Sequence, residues 1–487
     1  MKEYHIGFDF GTYQSKACVF DIKNSTHEFI RFQDGSYFLP SHIARGYNDL
    51  FVYGGISAEN ALEEYRYFKI AAADDPEFHI ETFEKPVDNK SDFYHFSDII
   101  NFSPEFLSVI YITYALFFIK EKYTKPGNES SSNSSIISRL FRRKEVEEEI
   151  RFTVQIGIPT EWSHIKNLRR KRKFENILML SELLQKKYHT LSSFLSTPSV
   201  KIIEDVKNIY NSFDFKSIDE FSNRLNELGV SVYPETAAGL TFILKTRQLP
   251  KGYYAIMDVG AGTSDISFFR VLDDGTIRYL ASESYLMAAN NVYRQYFGEC
   301  ITMSDLSKAE KDVKALIDKE IWKKNSRLYA ALRDVNKHLD SVVYKLFNGR
   351  VYYYRRDMVS KYCNQPIILY GGGARLPVLN SGKIMIHDNG CISINIDHTY
   401  LEKDDIERFT SIINIIPYDQ SWKTDFSLLV VALGLSYIKP VSSAEWFNTS
   451  EYNWKDGSNP QEVQHPFNED CYIYDVLNSK FYDDPKN

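Results

Sequence analysis

Cysteine is scarce and unpaired in this sequence. Cys18, Cys300, Cys363, Cys391 and Cys471 are the five among 487 residues, and no spacing between them suggests a bridge or a metal site. So low and odd a count argues against a disulfide framework and points to a reducing cytoplasm. Long apolar runs are missing too. The most lipid-like stretch, VIYITYALFFI over 109–119, is too short to cross a bilayer and reads as a buried helix. Lys2-Glu3 leads straight into an apolar run, so no signal peptide is expected. Nor is there an excess of positive charge. A total of 58 Lys and Arg against 65 Asp and Glu gives a net charge of -7, with no general pull toward nucleic acid or anionic membrane.

What is present is ordinary in bulk and unusual in detail. With 43% hydrophobic and 25% charged residues, the chain has the make-up of a soluble globular protein, and its length allows more than one domain. Aromatics reach 15%, with 34 Tyr and 33 Phe, which a large core would absorb.

The chain is organised around Tyr254-Ala255-Ile256-Met257-Asp258-Val259-Gly260-Ala261-Gly262-Thr263-Ser264-Asp265-Ile266-Ser267-Phe268-Phe269. An apolar run ends on a carboxylate, turns through two glycines and resumes, as in a β-hairpin. Glycine suits such a turn because it adopts positive φ and because a Cβ would hold an anion away from the backbone N–H groups. Thr263 adds a hydroxyl donor. Asp258 and Asp265 would repel a phosphate in direct contact, so they are expected to hold a hydrated Mg²⁺ or orient an attacking water. Residues 6–20 repeat the design, with Asp9, a Gly11-Thr12 turn and Ser15 between two apolar runs. Two such hairpins suggest two similar lobes facing one nucleotide. A third segment, Ile367-Ile368-Leu369-Tyr370-Gly371-Gly372-Gly373-Ala374-Arg375-Leu376-Pro377, reads as a buried strand running into a glycine loop on which a base or ribose can lie.

These motifs resemble those of the actin-like ATPase superfamily, most closely the nucleotide-binding domain of DnaK-type heat-shock chaperones. Asp9-x-Gly11-Thr12-x-x-Ser15 is similar to the first phosphate motif and Asp258-x-Gly260-x-Gly262-Thr263-x-Asp265 to the second. Gly371-Gly372-x-x-Arg375-x-Pro377 is similar to the adenosine motif, and the likeness spans about 4–438. It implies a two-lobed α/β fold, with duplicated ribonuclease-H-like lobes of mixed β-sheet flanked by helices around a cleft for ATP and Mg²⁺. Lobe I would cover 1–252, lobe II 253–425, a closing helix 426–440 and a C-terminal extension 441–487. Small subdomains are expected at about 36–102 and 284–365, a flexible insertion at about 125–150 and a helical elaboration at about 163–232.

The resemblance also implies roles. Gly11, Thr12, Tyr13, Gly260, Ala261, Gly262 and Thr263 would hold the phosphates, and Gly371, Gly372, Gly373 and Arg375 the adenosine, with Lys337 as a further contact. Asp9 and Asp258 would hold Mg²⁺ through water, Lys69 would stabilise charge at the γ-phosphate, and Asp265 would support the second hairpin and its water network.

Three departures qualify these roles. Aligned on Pro234, the family's glutamate beside the γ-phosphate falls at Tyr233, with Glu235 two positions later. Either Glu235 substitutes by a small shift or hydrolysis is slow or absent. Residues 282–294 replace a glycine-pair loop, which puts close backbone approach there in doubt. The tail is too short for a peptide-binding domain. Arg169 to Lys173, five consecutive basic residues in a helix, point all round it and are expected on a solvated surface. The expectation is a slow Mg-dependent ATPase whose lobe closure regulates a protein partner. A non-hydrolysing nucleotide-binding module and a filament-forming relative stay as alternatives.

Overall fold

Strand β1 (Lys2–Asp9) is buried on both faces from Tyr4 onward, as in a strand inside a sheet covered on both sides. The computed structural model describes residues 1–32, 35–54, 61–66, 68–73, 103–124, 149–163, 168–213, 218–245, 251–273, 276–285, 287–298, 303–346, 367–377, 383–387, 393–400, 415–416, 425–437 and 444–446. Most of the insertion expected at 125–150, and the extension beyond Trp446, lie outside the described residues.

Among the described residues the chain is α/β, with two mixed sheets flanked by helices. The first runs β16 (Ile415–Ile416), β3 (Thr26–Phe29), β2 (Gln14–Asp21), β1, β8 (Ile150–Ile158), β9 (Val230–Pro234), with β4 (Leu39–Pro40) also pairing with β2. The second runs β14 (Lys383–His387), β15 (Ser393–Tyr400), β13 (Ile367–Tyr370), β10 (Gly252–Val259), β11 (Ser264–Val271), β12 (Ile277–Tyr285), β17 (Ala444–Trp446). Both follow one plan. An antiparallel meander, β1-β2-β3 or β10-β11-β12, is extended by parallel strands beside its first member, β8 and β9 or β13 and β15. A three-stranded sheet of β6 (Phe51–Tyr53), β5 (His42–Gly46) and β7 (Ala61–Arg66) stands apart.

Helix α1 (Phe68–Ala73) follows β7, and α2 (Pro104–Thr124) carries the apolar run over 109–119. Pro104 opens α2, where Ser103 Oγ accepts from the Phe106 amide at 3.2 Å, and the helix is buried almost all round. Helices α3 (Leu168–Tyr188), α4 (Leu191–Leu195), α5 (Ser199–Asn211) and α6 (Ile218–Leu228) pack their apolar faces with α2 onto the first sheet. On α3 the basic run is not uniformly solvated. Arg169 and Arg172 are exposed, but Arg170 is buried against the Trp162 ring because that helix turn faces the core.

The second sheet is covered by α8 (Ala289–Phe297), α9 (Met303–Asp318) and α10 (Ser326–Leu346). Between the sheets lies a shared apolar layer built from α7 (Glu235–Lys245) and α11 (Phe426–Ser436). Its closeness depends on glycine. A Cβ at Gly434 would lie 1.8 Å from the Ala238 carbonyl oxygen, and one at Gly7 would lie 2.3 Å from the Ser436 nitrogen. Residues 444–446, expected to begin the extension, instead complete the second sheet as β17. No helix among the described residues is long and apolar enough to cross a membrane.

Gly434→Ala is expected to lose about 3 kcal/mol or more of stability, because the methyl has no space that side-chain motion could open. Denaturant unfolding against the wild type checks this, and Gly252→Ala serves as the control for a glycine without positive φ whose Cβ would meet only Tyr254 side-chain atoms at 3.4 Å or more.

Candidate functional site

Asp9 and Asp258 sit at equivalent ends of β1 and β10, so the repeated sheet plan brings both hairpin turns to one cavity of about 460 Å³. The turns face each other closely. A Cβ at Gly262 would lie 3.4 Å from Thr12 Cγ2 and 3.8 Å from Ile70 Cδ1. The third glycine segment arrives because β13 runs parallel beside β10 with Tyr370 opposite Asp258. Gly11, Thr12, Tyr13, Gly260, Ala261, Thr263, Gly371, Gly372, Gly373 and Arg375 all line the cavity.

The reason for glycine differs from expectation in the two hairpin turns. Gly11, Gly260 and Gly262 do not adopt positive φ; among these loops only Gly371 does, at 89°. Crowding selects glycine in the hairpins instead, since a Cβ at Gly11 would lie 2.1 Å from the Gln14 carbonyl oxygen and one at Gly260 2.9 Å from that of Thr263. The first turn is also braced from below. Ser41 donates to the Gly11 carbonyl at 2.6 Å and its amide to Tyr13 O at 2.9 Å, with buried Ser15 against its hydroxyl.

Four carboxylates, Asp9, Glu235, Asp258 and Asp265, face two ammonium groups, Lys16 and Lys69, in this cavity. Lys16 was not singled out from sequence, although the hairpin register sets it directly across from Asp9, and its Nζ lies 2.9 Å from Asp9 Oδ2. Lys69 on α1 reaches Glu235 Oε1 at 2.7 Å, with both side chains buried. Glu235, not Tyr233, is the residue at the cavity; Tyr233 is half-buried against the layer between the sheets. Glu235 fits because β8 carries Gly157 beneath it, where a Cβ would lie 2.8 Å from Glu235 Cγ.

The electrostatics follow from this crowding. Burial, with Glu235, Asp265 and Asp9 nearby, holds Asp258 well above the usual carboxylate range. Burial and Glu235 push Asp265 up to about 7, against the Ser284 hydroxyl that donates to its Oδ1. Burial alone would lower Lys69, but Glu235 and Asp9 outweigh it and hold the ammonium above the usual lysine range. Burial lifts Glu235, and Lys69 offsets part of that lift.

At the far side of the cavity Arg375 donates to Asp425 Oδ1 at 3.2 Å and to Ser427 Oγ at 3.2 Å. Lys337 is not there. The apolar face of α10, including Leu332, Val335 and Leu339, turns inward and leaves Lys337 exposed. Of the helices covering the second sheet, α9 reaches the cavity through Glu310, Lys314 and Asp318 and α8 through Ala289, Asn290 and Tyr293, and Tyr13 donates to Glu310 at 3.4 Å. Close backbone approach near 282–294 survives the loss of glycine. The Ala289 and Asn290 amides at the start of α8 donate to Gly260 O and Ala261 O at 3.3 and 2.8 Å, past two buried alanines.

Tyr370, also missed from sequence, places its ring against Gly239 of α7, and its buried hydroxyl has no hydrogen-bond partner among the described residues. No group of three or more His, Cys, Asp or Glu side chains among the described residues is placed to hold a metal ion directly. A scan against models of known protein families finds no match to this chain.

Lys69→Met should cost about 3–5 kcal/mol by leaving Glu235 buried and unpaired. Adding Glu235→Gln should recover most of that loss, and a double-mutant cycle by denaturant unfolding reads the coupling. Asp265 has a folded-state pKa above its unfolded value, so its ionisation opposes folding above that unfolded value, and the penalty grows as pH rises to about 7. Asp265→Asn is therefore expected to raise the melting temperature at pH 8 and to do so progressively less toward pH 5.

Proposed function

We propose that the chain is a two-lobed ATP-binding protein of the actin-like class, similar to the nucleotide-binding domain of DnaK-type chaperones. In this reading it is a slow Mg-dependent ATPase whose lobe closure is read by a protein partner. The observation that carries the reading is the meeting of three glycine segments, distant in sequence, on one cavity that Asp9, Glu235, Asp258, Asp265, Lys16 and Lys69 also line.

Each part has a task in that reading. The two hairpin turns offer backbone N–H groups to the β- and γ-phosphates, and Lys16 and Lys69 face them with positive charge. Glu235, held by Lys69, is placed to orient a water or take its proton. Arg375, steadied by Asp425 and Ser427, and the bare backbone of Gly371 to Gly373 give adenosine a flat support. The residues fit a hydrated Mg²⁺ that arrives with the phosphates better than a resident ion. Negative charge is in excess around Asp258, yet no direct three-ligand group is built among the described residues. Asp9 and Asp258 would hold that ion through water, and when bound it supplies charge neutralisation for phosphoryl transfer to water. The low and odd cysteine count favours a reducing cytoplasm.

Closure then has a physical basis. A ligand that touches both hairpin turns binds best when they approach, so it shifts the population toward the closed form.

Mg-ATP is expected to raise the melting temperature of the purified protein and to yield slow phosphate release. Asp258→Asn should reduce that release roughly a hundredfold or more. Binding without release would turn the reading to a non-hydrolysing module, and no binding of any nucleotide would remove it.

A further inference from the structure

Glu161 stands outside the cavity, yet two hydrogen bonds connect it to a carboxylate inside. It lies in the short 3₁₀ turn Thr160–Ser163 that follows β8. Its Oε2 accepts from the Ser284 amide of β12 at 2.9 Å. Ser284 is the register partner of Asp265 across β11 and β12, and its hydroxyl donates to Asp265 Oδ1. Among the described residues β17 pairs with β12 at Ile277 to Tyr279, and farther along β12 the Ser284 amide is met by the Glu161 carboxylate.

The turn that carries Glu161 is firmly held. Thr160 meets the Thr236 hydroxyl, which meets Tyr279 of β12 at 3.1 Å. Trp162 stacks on Phe174 of α3 at 5.5 Å between ring centroids, and Arg170 lies over Trp162 with a guanidinium nitrogen 3.9 Å from Glu161 Oε1. A residue attached to the first sheet therefore sets the backbone of the second sheet at the point where that backbone orients a cavity carboxylate.

We propose that Glu161 is a positioning residue for the cleft, acting through Ser284 to fix where the Asp265 carboxylate points. Its effect on turnover rests on the ATPase reading; its effect on Asp265 does not. The groups that face Asp265 are Glu235 from α7, Lys69 from α1, Asp258 from β10 and Glu161 itself. Among these influences the Glu161 charge disfavours the ionised form of Asp265, whereas the Ser284 hydroxyl favours it.

Opposite titration shifts test the proposal. Carboxyl ¹³C NMR of aspartate-labelled protein, with Asp265→Asn to assign the signal, follows Asp265 in the wild type, Glu161→Gln, Glu161→Ala and Ser284→Ala. Glu161→Gln keeps an acceptor for the Ser284 amide but removes the charge, so the Asp265 midpoint should fall by a few tenths of a pH unit. Ser284→Ala removes the donor, so the midpoint should rise. For phosphate release, Glu161→Ala should lose roughly tenfold. Glu161→Gln should recover part of that loss, and its acid limb should move to lower pH. An Asp265 midpoint unmoved in both Glu161→Gln and Ser284→Ala overturns the proposal, as does a folded Glu161→Ala that keeps the wild-type rate and pH profile. Should the wild type release no phosphate, the ATPase reading fails, and the NMR titration still decides on Glu161.

Discussion

The buried ion pair of Lys69 and Glu235 is the interaction on which the cleft depends. Taking two charges out of water is costly, and the pair persists only because each ion lies against the other at 2.7 Å. It also ties α1 to the first residue of α7, so it holds together two elements that reach the cavity from different parts of the chain. Lys16 does the same for Asp9 within one hairpin. Asp258 and Asp265 receive no such cation at contact distance among the described residues, and burial with acidic neighbours drives both toward the neutral form. A cleft arranged in this way has local negative charge that a cation or a proton can neutralise.

The geometry that brings these groups together is set by close packing between the sheets. Helices α7 and α11 fit there because Gly7 and Gly434 remove the side chains that would hold them apart. The same layer places Tyr370 on Gly239 and Tyr279 on Thr236, and Glu161 joins the sheets again at Ser284. Motion of one sheet relative to the other must therefore disturb backbone and buried hydroxyls close to the carboxylates.

Features carried by short stretches were legible before the structure. Both hairpins, the strand into Gly371 and the buried helix over 109–119 all follow from local pattern. Lys16 was legible in principle, since it is set by hairpin register, but a lone lysine in a strand carries no pattern of its own. Lys337 went wrong because a helix presents different residues to core and solvent within two positions, and the inward face of α10 is chosen by its neighbours. Glycine conformation went wrong for a related reason. The need for glycine at Gly11 and Gly260 comes from the approach of a carbonyl, not from the sign of φ.

By itself the sequence determined the two acidic hairpins, the glycine loop and the α/β character, because each depends on hydrogen bonding and burial within a few residues. Tertiary structure alone decided that Glu235 rather than Tyr233 reaches the cavity, that Lys69 is its partner, and that Glu161 holds the backbone beside Asp265. Those contacts join residues separated by more than a hundred positions. Their existence depends on sub-ångström fits between elements, which no local preference encodes.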